Sequence, residues 1–212
     1  MASQKSISET EVKAKTPQRK RGRDRVAQLL EAGAAVFAER GYDAATMTEI
    51  AARAGAAIGS LYQFFPNKEL LADALVERYG EHVFERLDEI EAQVTALTAD
   101  QLTDVLLSVF RNLAAERQLA LSLLDARWTG PSVRPGHFRS HIRARIAGIL
   151  RLWNGELVET DAAIHAAVIL QAMKADVQLT EEAPYPAKNS VVQAWRGILR
   201  DYLAKVKPDA AN

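Results

Sequence analysis

The sequence predicts an all-α protein of about nine helices, with an N-terminal three-helix helix-turn-helix domain followed by a C-terminal helical bundle. Three observations support this fold class. Apolar residues recur at helical spacing along most of the chain, glycine and proline pairs separate the periodic segments, and no segment alternates apolar and polar residues as a strand does. The 212 residues are enough to bury one large or two small cores.

Charge is balanced overall but unevenly distributed along the chain. Residues 1–25 contain eight Lys/Arg and three Asp/Glu, whereas residues 26–212 contain 19 and 24. We predict that residues 1–22 form a disordered basic arm, as is typical of nucleic-acid binding and also of solubility tails. Cysteine is absent, which excludes disulfides, thiol redox sensing and zinc-thiolate sites. No apolar run reaches the length of a membrane span or resembles a signal peptide, so we expect a cytoplasmic protein.

The first predicted helix extends from about residue 24 to residue 40 and has one apolar stripe. This stripe consists of Val26, Leu29, Leu30, Gly33 and Phe37. Residues 46–71 then predict a short helix, a glycine turn, a second short helix and the start of a third. Thr46 and Glu49 have the spacing of a capping box, and Gly55 can adopt the positive φ that ends a helix.

The second short helix is predicted over about residues 57–64. It buries Leu61 and Phe65 and leaves a polar face of Ser60, Tyr62 and Gln63. Pro66 stops this helix, and Asn67 is a favoured N-cap for the next one. A compact helix-turn-helix behind a basic arm is a common way to bind duplex DNA in the major groove.

This segment resembles the DNA-binding domain of the TetR family of bacterial transcriptional regulators. The matching residues are Phe37, Glu39-Arg40-Gly41-Tyr42, Thr46-Met47, Ile50-Ala51, Ala54-Gly55, Gly59-Ser60-Leu61-Tyr62, Phe65 and Asn67-Lys68-Glu69-Leu70-Leu71. They cover about residues 25–75, or a quarter of the chain. The resemblance implies a DNA-binding domain over residues 23–75 and an effector-binding and dimerisation domain over residues 76–212.

The resemblance also implies how the second short helix contacts DNA. Tyr62 and Lys68 would bind phosphates, and Thr46 would add a cap and a phosphate contact. Gly59 would let the helix approach the groove, where Ser60 and Gln63 could reach base edges, glutamine pairing with adenine. The alternatives are a half-buried core tyrosine for Tyr62 and a solvated surface residue for Gln63.

Two features depart from the family pattern. Ala57 and Ile58 occupy positions where a polar N-cap and a basic residue are frequent, so Ile58 could touch only a thymine methyl or a sugar. Phe64 stands where many members have histidine. Base readout would then depend more on the basic arm, lying along the minor groove. The arm residues expected to contact DNA are Arg19, Lys20, Arg21 and Arg23.

Beyond residue 67 we predict a long helix to about residue 95 and five further helices, over about 100–115, 117–128, 136–153, 160–179 and 189–206. By resemblance, the last two would pair with a second subunit as a four-helix bundle, giving a homodimer that binds a palindromic operator. The expected interface residues are Ile164, Val168, Val191, Val192, Trp195, Ile198, Leu199 and Tyr202. The alternative is that these stripes only close the core of one subunit.

An effector pocket is expected between about residues 100 and 180 for an unidentified small molecule. Its candidate lining residues are Phe110, Leu113, Leu124, Trp128, Phe138, His141, Trp153 and Met173, although each is also a plausible core residue. His137 and His141 are one turn apart but lack a matching third ligand, so we expect no metal. The helix predicted over about residues 136–153 is basic, which would suit an anionic ligand or a solvated face.

The chain has no recognisable catalytic motif, and its acidic stretch between Glu77 and Glu91 predicts a solvated helix face. We therefore expect no enzyme activity and no cofactor. The resemblance implies a sequence-specific DNA-binding regulator, by default a repressor released from its operator when a small molecule binds. The alternative from another class is a helical ligand-binding protein that has lost DNA binding, which the residues at Ala57 and Ile58 keep open.

Overall fold

A computed structural model describes residues 20–126, 135–181 and 188–207 of the chain. Within these ranges the secondary structure is helical and contains no strand, which confirms the predicted fold class. None of the described helices is long and apolar enough to cross a membrane. The helices are α1 (Lys20–Ala44), α2 (Met47–Arg53), α3 (Ile58–Phe64), α4 (Lys68–Glu91), α5 (Ala99–Asn112), α6 (Ala114–Ala126), α7 (Pro135–Trp153), α8 (Glu159–Glu181) and α9 (Lys188–Val206).

The described residues form two compact units. The first contains the residues up to Val76 together with Ser122–Ala126, and the second contains Glu77–Leu121 and the described residues after Ala126. Helix α4 begins in the first unit and continues into the second.

In the first unit, α1 is interrupted near its end by Gly41. This residue has φ 75° and ψ 167°, a backbone conformation that is strained for any residue with a side chain. It separates the long helix from its last turn. The ring of Phe37 lies 5.7 Å from that of Tyr42 across this break. The glycine that the sequence placed at the end of the first helix therefore does redirect the chain there.

Helix α1 begins at Lys20, earlier than predicted. Residues 20–22 were expected to be disordered, and this expectation was wrong for them. Once an amphipathic helix has formed, each further residue costs little, and lysine and arginine are good helix formers. The favourable propensity of these basic residues extends the helix despite Gly22.

The core of the first unit is built where α1, α2, α3 and the start of α4 meet. Leu29, Ile50, Leu61 and Leu71 are fully buried in it. At Gly33 a Cβ atom would lie 3.1 Å from Leu71 Cδ2, so the glycine allows α1 and α4 to approach closely. This packing holds the two short helices in place, since neither is long enough to be stable alone.

The second unit is a bundle in which α5, α7, α8 and α9 pack together. Thr98 and Gln101 form a capping box at the start of α5. In the bundle interior, Asp176 on α8 is fully buried, and its Oδ2 accepts hydrogen bonds from Arg111 Nε and a terminal guanidinium nitrogen at 3.1 and 2.7 Å. Burial of a carboxylate is tolerated because this partner supplies charge and donors.

The long helix α4 ends at Glu91, short of the predicted residue 95. The chain continues as a 3-10 turn over Val94–Ala96. Trp153 Nε1 donates to the Leu97 carbonyl at 2.7 Å and thereby fixes the segment that follows the turn. A long-range hydrogen bond of this kind leaves no signal in the local sequence.

Candidate nucleic-acid interface

Helix α2 begins and ends as the sequence predicts. The Glu49 amide donates to Thr46 Oγ1 at 3.2 Å, and the Thr46 amide donates to the Glu49 carboxylate at 3.1 Å. The hydroxyl and the amide of Thr46 both donate to the Glu49 carboxylate, and these two hydrogen bonds lower the pKa of that carboxyl, the hydroxyl contributing most. Gly55 has φ 58° and ends the first short helix. The predicted capping box and glycine turn are thus confirmed.

Helix α3 turns one face inward and the other toward solvent. Leu61 and Phe65 are buried, as predicted, whereas Tyr62 is 48% exposed and Gln63 is exposed beside it. Ser60 is half-buried. Tyr62 is therefore not fully buried, and about half of its surface is available to a partner. The exposed face of α3 offers a phenol and a carboxamide, which can bind phosphate oxygens and base edges.

The N-terminal end of α3 is less polar than in a well-capped helix. Its N-cap is Ala57, which provides no side-chain hydrogen bond, and Ile58 follows with 40% exposure. Around Gly59 there is open space where a Cβ would stand. Helix α3 has no charged residue, so any phosphate attraction at this surface must come from neighbouring elements.

Lys68 lies at the start of α4, but its ammonium group is directed into the protein. Nζ donates to the carbonyls of Tyr42, Asp43 and Ala45 at 2.7, 3.1 and 3.1 Å, and lies 4.5 Å from the Tyr42 ring centroid. These contacts use the three donors of the ammonium group. Lys68 therefore ties the end of α1 to α4, and the expected phosphate contact from its side chain is not available in this structure.

Two further interactions fix the helices around α3. The Tyr42 hydroxyl donates to Glu69 Oε1 at 3.2 Å. Arg53 on α2 donates to Glu39 on α1 at 2.6 Å, and this hydrogen bond lowers the pKa of the Glu39 carboxyl. These contacts join residues 14 to 27 positions apart. Sequence reasoning missed them because each partner is an ordinary charged or polar surface residue.

The basic residues upstream of α3 lie on a helix. Lys20, Arg21 and Arg23 are exposed in the first turns of α1, and Arg19 lies outside the described residues. These three residues therefore belong to α1 and not to an arm ahead of it, and their contact with DNA stays a prediction. The Thr46 hydroxyl donates to the Glu49 carboxylate at 2.8 Å, so its first role is the cap.

A second candidate surface lies on α8 and α9, where the sequence predicted a subunit interface. Ile164 and Val168 on α8 and Ile198 on α9 are 61%, 45% and 62% exposed. Ile198 also lines an open groove of about 410 Å³, together with residues that include Val191 and Trp195. Large exposed apolar side chains on adjacent helices are typical of a surface that a partner covers.

Other residues expected at this interface are buried or make hydrogen bonds within their own chain. Leu199 is 3% exposed, so the core of its own unit covers it and its assignment to the interface was wrong. The Tyr202 hydroxyl lies 2.6 Å from His165 Nδ1, and Trp195 Nε1 donates to the Ala172 carbonyl at 3.2 Å. Val192 is half-buried. The polar ends of Trp195 and Tyr202 thus hold α9 against α8.

The predicted effector-lining residues do not share one environment. Phe110, Leu113 and Met173 are buried in the second unit, and Trp153 is buried near the turn after α4. His141 is exposed and therefore does not line the bundle interior. The remaining members are Leu124, which belongs to the first unit, Phe138, which is half-buried, and Trp128, which lies outside the described residues.

Comparison with known proteins agrees with this geometry. A family model described as bacterial regulatory proteins, tetR family, matches residues 29–75. The fatty acid metabolism regulator protein of Bacillus subtilis is 28% identical over 178 residues, which are 83% of this chain and 86% of that protein. The transcriptional repressor KstR2 of Rhodococcus jostii is 30% identical over 144 residues, 57% of this chain and 71% of the repressor.

The fold extends to solved structures with little sequence identity. A transcriptional regulator from Aquifex aeolicus superposes with a TM-score of 0.61 at 19% identity, over 86% of this chain and 99% of that one. At this identity the likeness concerns the fold alone. The family model covers the N-terminal segment that carries the motif. The Bacillus subtilis relative and the Aquifex aeolicus structure also cover most of the helical remainder.

Proposed function

We propose, on the premise that this chain belongs to the TetR family of bacterial regulatory proteins, that it represses transcription by binding operator DNA through α3. A small molecule bound by the C-terminal part then releases the protein from its operator. The observation that carries this proposal is the exposed polar face of α3 on a capped, tightly packed helix-turn-helix. A rigid element with exposed hydrogen-bonding groups is what sequence readout requires.

Each residue near α3 has a proposed role. Tyr62 donates to a phosphate through its hydroxyl, and Gln63 pairs with a base edge, with Ser60 as a second base contact. Gly59 allows close approach, and Ile58 contacts a thymine methyl or a sugar. Lys20, Arg21 and Arg23 attract phosphates from the start of α1, while Thr46 and Lys68 hold the helices in position.

We propose that DNA binding and effector binding belong to two different domains. Residues 23–75 form the DNA-binding domain, and residues 76–212 bind the effector and dimerise. The Bacillus subtilis relative is named for the regulation of fatty acid metabolism, so compounds of that metabolism are the first effectors to test. We place the protein in the cytoplasm, where its DNA lies.

The proposed assembly is a homodimer formed through α8 and α9. Three exposed apolar side chains on these helices support it, because a two-fold axis lets such a patch cover its own copy. Two α3 helices about 34 Å apart would then contact successive major grooves on one side of the duplex. The operator is therefore proposed to be a palindrome.

The test is selection of bound duplexes from a random pool by the full chain at about 150 mM salt. We expect a palindrome with half-sites about one helical turn apart. The matched control is Gln63→Ala, which should relax the preference at one position of each half-site and leave the spacing unchanged. A folded dimer that enriches no sequence would contradict the proposal and favour a ligand-binding protein whose apolar α3 start has abolished readout.

A further inference from the structure

The first residue of α3 has an exposed apolar side chain. Ile58 begins the helix and is 40% exposed, and Gly59 follows it. A Cβ built at Gly59 would have no neighbouring atom within 4 Å, so the surface next to Ile58 is open. Single exposed apolar residues are common on proteins, so the place of Ile58 in the DNA-binding helix, rather than its exposure, is informative.

The beginning of α3 has no polar side chain that could bind DNA in place of Ile58. Residues 54–59 are alanine, glycine and one isoleucine. Ala57 is the N-cap and makes no side-chain hydrogen bond, and α3 contains no charged residue. The amides of Ser60 and Leu61 donate to the Ala57 carbonyl at 2.8 and 3.4 Å, so the backbone itself closes the first turn. Any side-chain contact from this end of the helix must therefore come from Ile58.

The major groove of DNA offers one apolar group to such a side chain. Adenine, guanine and cytosine present only donors or acceptors there, whereas thymine adds a C5 methyl group to its O4 acceptor. Isoleucine has no hydrogen-bonding group, so placing it over a guanine oxygen or a cytosine amine would remove water without replacing its hydrogen bond. Because the N-terminal residues of a recognition helix contact base edges, a base is favoured over a sugar.

We propose that Ile58 determines part of the operator sequence by packing against the C5 methyl group of a thymine in each half-site. The contact selects thymine because only this base buries an apolar group against the isoleucine and leaves no polar group uncompensated there. The inference rests on the proposed function, since it requires α3 to enter the major groove. It adds the identity of a base that the operator must contain.

This contact is distinct from the base contact proposed for Gln63. The two residues are five positions apart, which corresponds to about 7.5 Å along a helix, or roughly two base-pair steps of about 3.4 Å. They also differ in chemistry, since the exposed carboxamide of Gln63 can form two hydrogen bonds with adenine. Ile58 and Gln63 should therefore act on different base pairs of one half-site, so each contact can be tested while the other is kept.

The experiment removes single methyl groups from the operator that the full chain selects. Each thymine of one half-site is replaced in turn by deoxyuridine, which pairs in the same way and lacks only the C5 methyl group. We expect at least one replacement to weaken binding about four-fold, as the loss of one buried methyl group would. Replacing that thymine by cytosine should weaken binding further, and 5-methylcytosine should recover about four-fold of this loss.

Variants of α3 assign the methyl contact to one residue. Ile58→Ala should bind the thymine and deoxyuridine operators with equal affinity. The matched control is Gln63→Ala, which should bind both operators more weakly and keep the difference between them. Denaturant unfolding shows whether Ile58→Ala is folded, and the deoxyuridine series with the unchanged chain does not depend on any variant.

The outcomes separate this inference from the proposed function. Equal affinity of the unchanged chain for every deoxyuridine operator would overturn the inference and leave the proposed function in place. A methyl effect that persists in Ile58→Ala would also overturn it, because another residue would then make the contact. Failure to select any operator would contradict the proposed function, and the inference with it.

Discussion

The exposed faces of α3 and of α8–α9 both present apolar side chains, but their surroundings differ. On α3, a glycine, a half-buried serine and the buried Leu61 separate Ile58 from Tyr62, and Gln63 follows Tyr62. On α8 and α9, Ile164, Val168 and Ile198 are exposed, and Ile198 also lines an apolar groove. Exposure alone does not identify a partner. A mixed polar face suits a nucleic acid, whereas a continuous apolar face suits a second protein surface.

The largest expected effect concerns the α8–α9 face. Ile198→Glu would place two glutamates against each other across a two-fold axis, so the dimer dissociation constant should rise roughly a thousand-fold, about 4 kcal/mol. Sedimentation over a range of protein concentrations measures it. Leu152→Glu is the matched control, because Leu152 is equally apolar and 50% exposed but lies on α7. An unchanged dimer dissociation constant for Ile198→Glu would show that the exposed apolar face of α8 and α9 does not bind a second subunit.

The next effect tests the interior of the same unit. Arg111→Ala leaves the Asp176 carboxylate fully buried without its partner and should lower the free energy of unfolding by about 3 kcal/mol. Denaturant unfolding provides the measurement. Arg196→Ala removes ion pairs with exposed Asp100 and Asp104 and should cost no more than about 1 kcal/mol. Equal losses in both variants would show that burial does not distinguish the two sites.

A smaller effect distinguishes positioning from phosphate binding near α3. Lys68→Met removes three hydrogen bonds to carbonyls and should cost about 2 kcal/mol of stability. Affinity for the selected operator should fall while its salt dependence stays unchanged. Lys20→Met, at the exposed start of α1, should reduce the salt slope by about one without loss of stability. A reduced slope for Lys68→Met would instead assign Lys68 to a phosphate.

The smallest effects are expected from the face of α3 itself. Gln63→Ala should cost about 1–2 kcal/mol at one base position, because only that base loses its partner. Tyr62→Phe should cost about 1 kcal/mol on every sequence alike, since a phosphate contact carries no base preference. Competition binding with single-base operator variants separates the two patterns. If both variants lose affinity uniformly, Gln63 does not read a base.

Local features around α3 were predictable because their causes are local. The Thr46–Glu49 capping box, the positive φ of Gly55 and the Asn67 cap at the start of α4 each depend on residues within a few positions. The inward side of α3 was also predictable, since Leu61 and the C-cap residue Phe65 are four positions apart and therefore lie on one face. The boundary of α1 was missed because helix extension depends on small propensities rather than on a stop signal.

By itself, the sequence determined the all-α fold, the helix-turn-helix and the family, because periodicity, caps and glycine turns act over a few residues. Only the tertiary structure decided that the Lys68 ammonium group donates to three carbonyls, that Leu199 is covered by its own subunit, and that Arg111 pairs with the buried Asp176. These facts depend on contacts between residues far apart in the chain. The local sequence around a charged or apolar residue does not show whether another helix covers it, pairs with it or leaves it exposed.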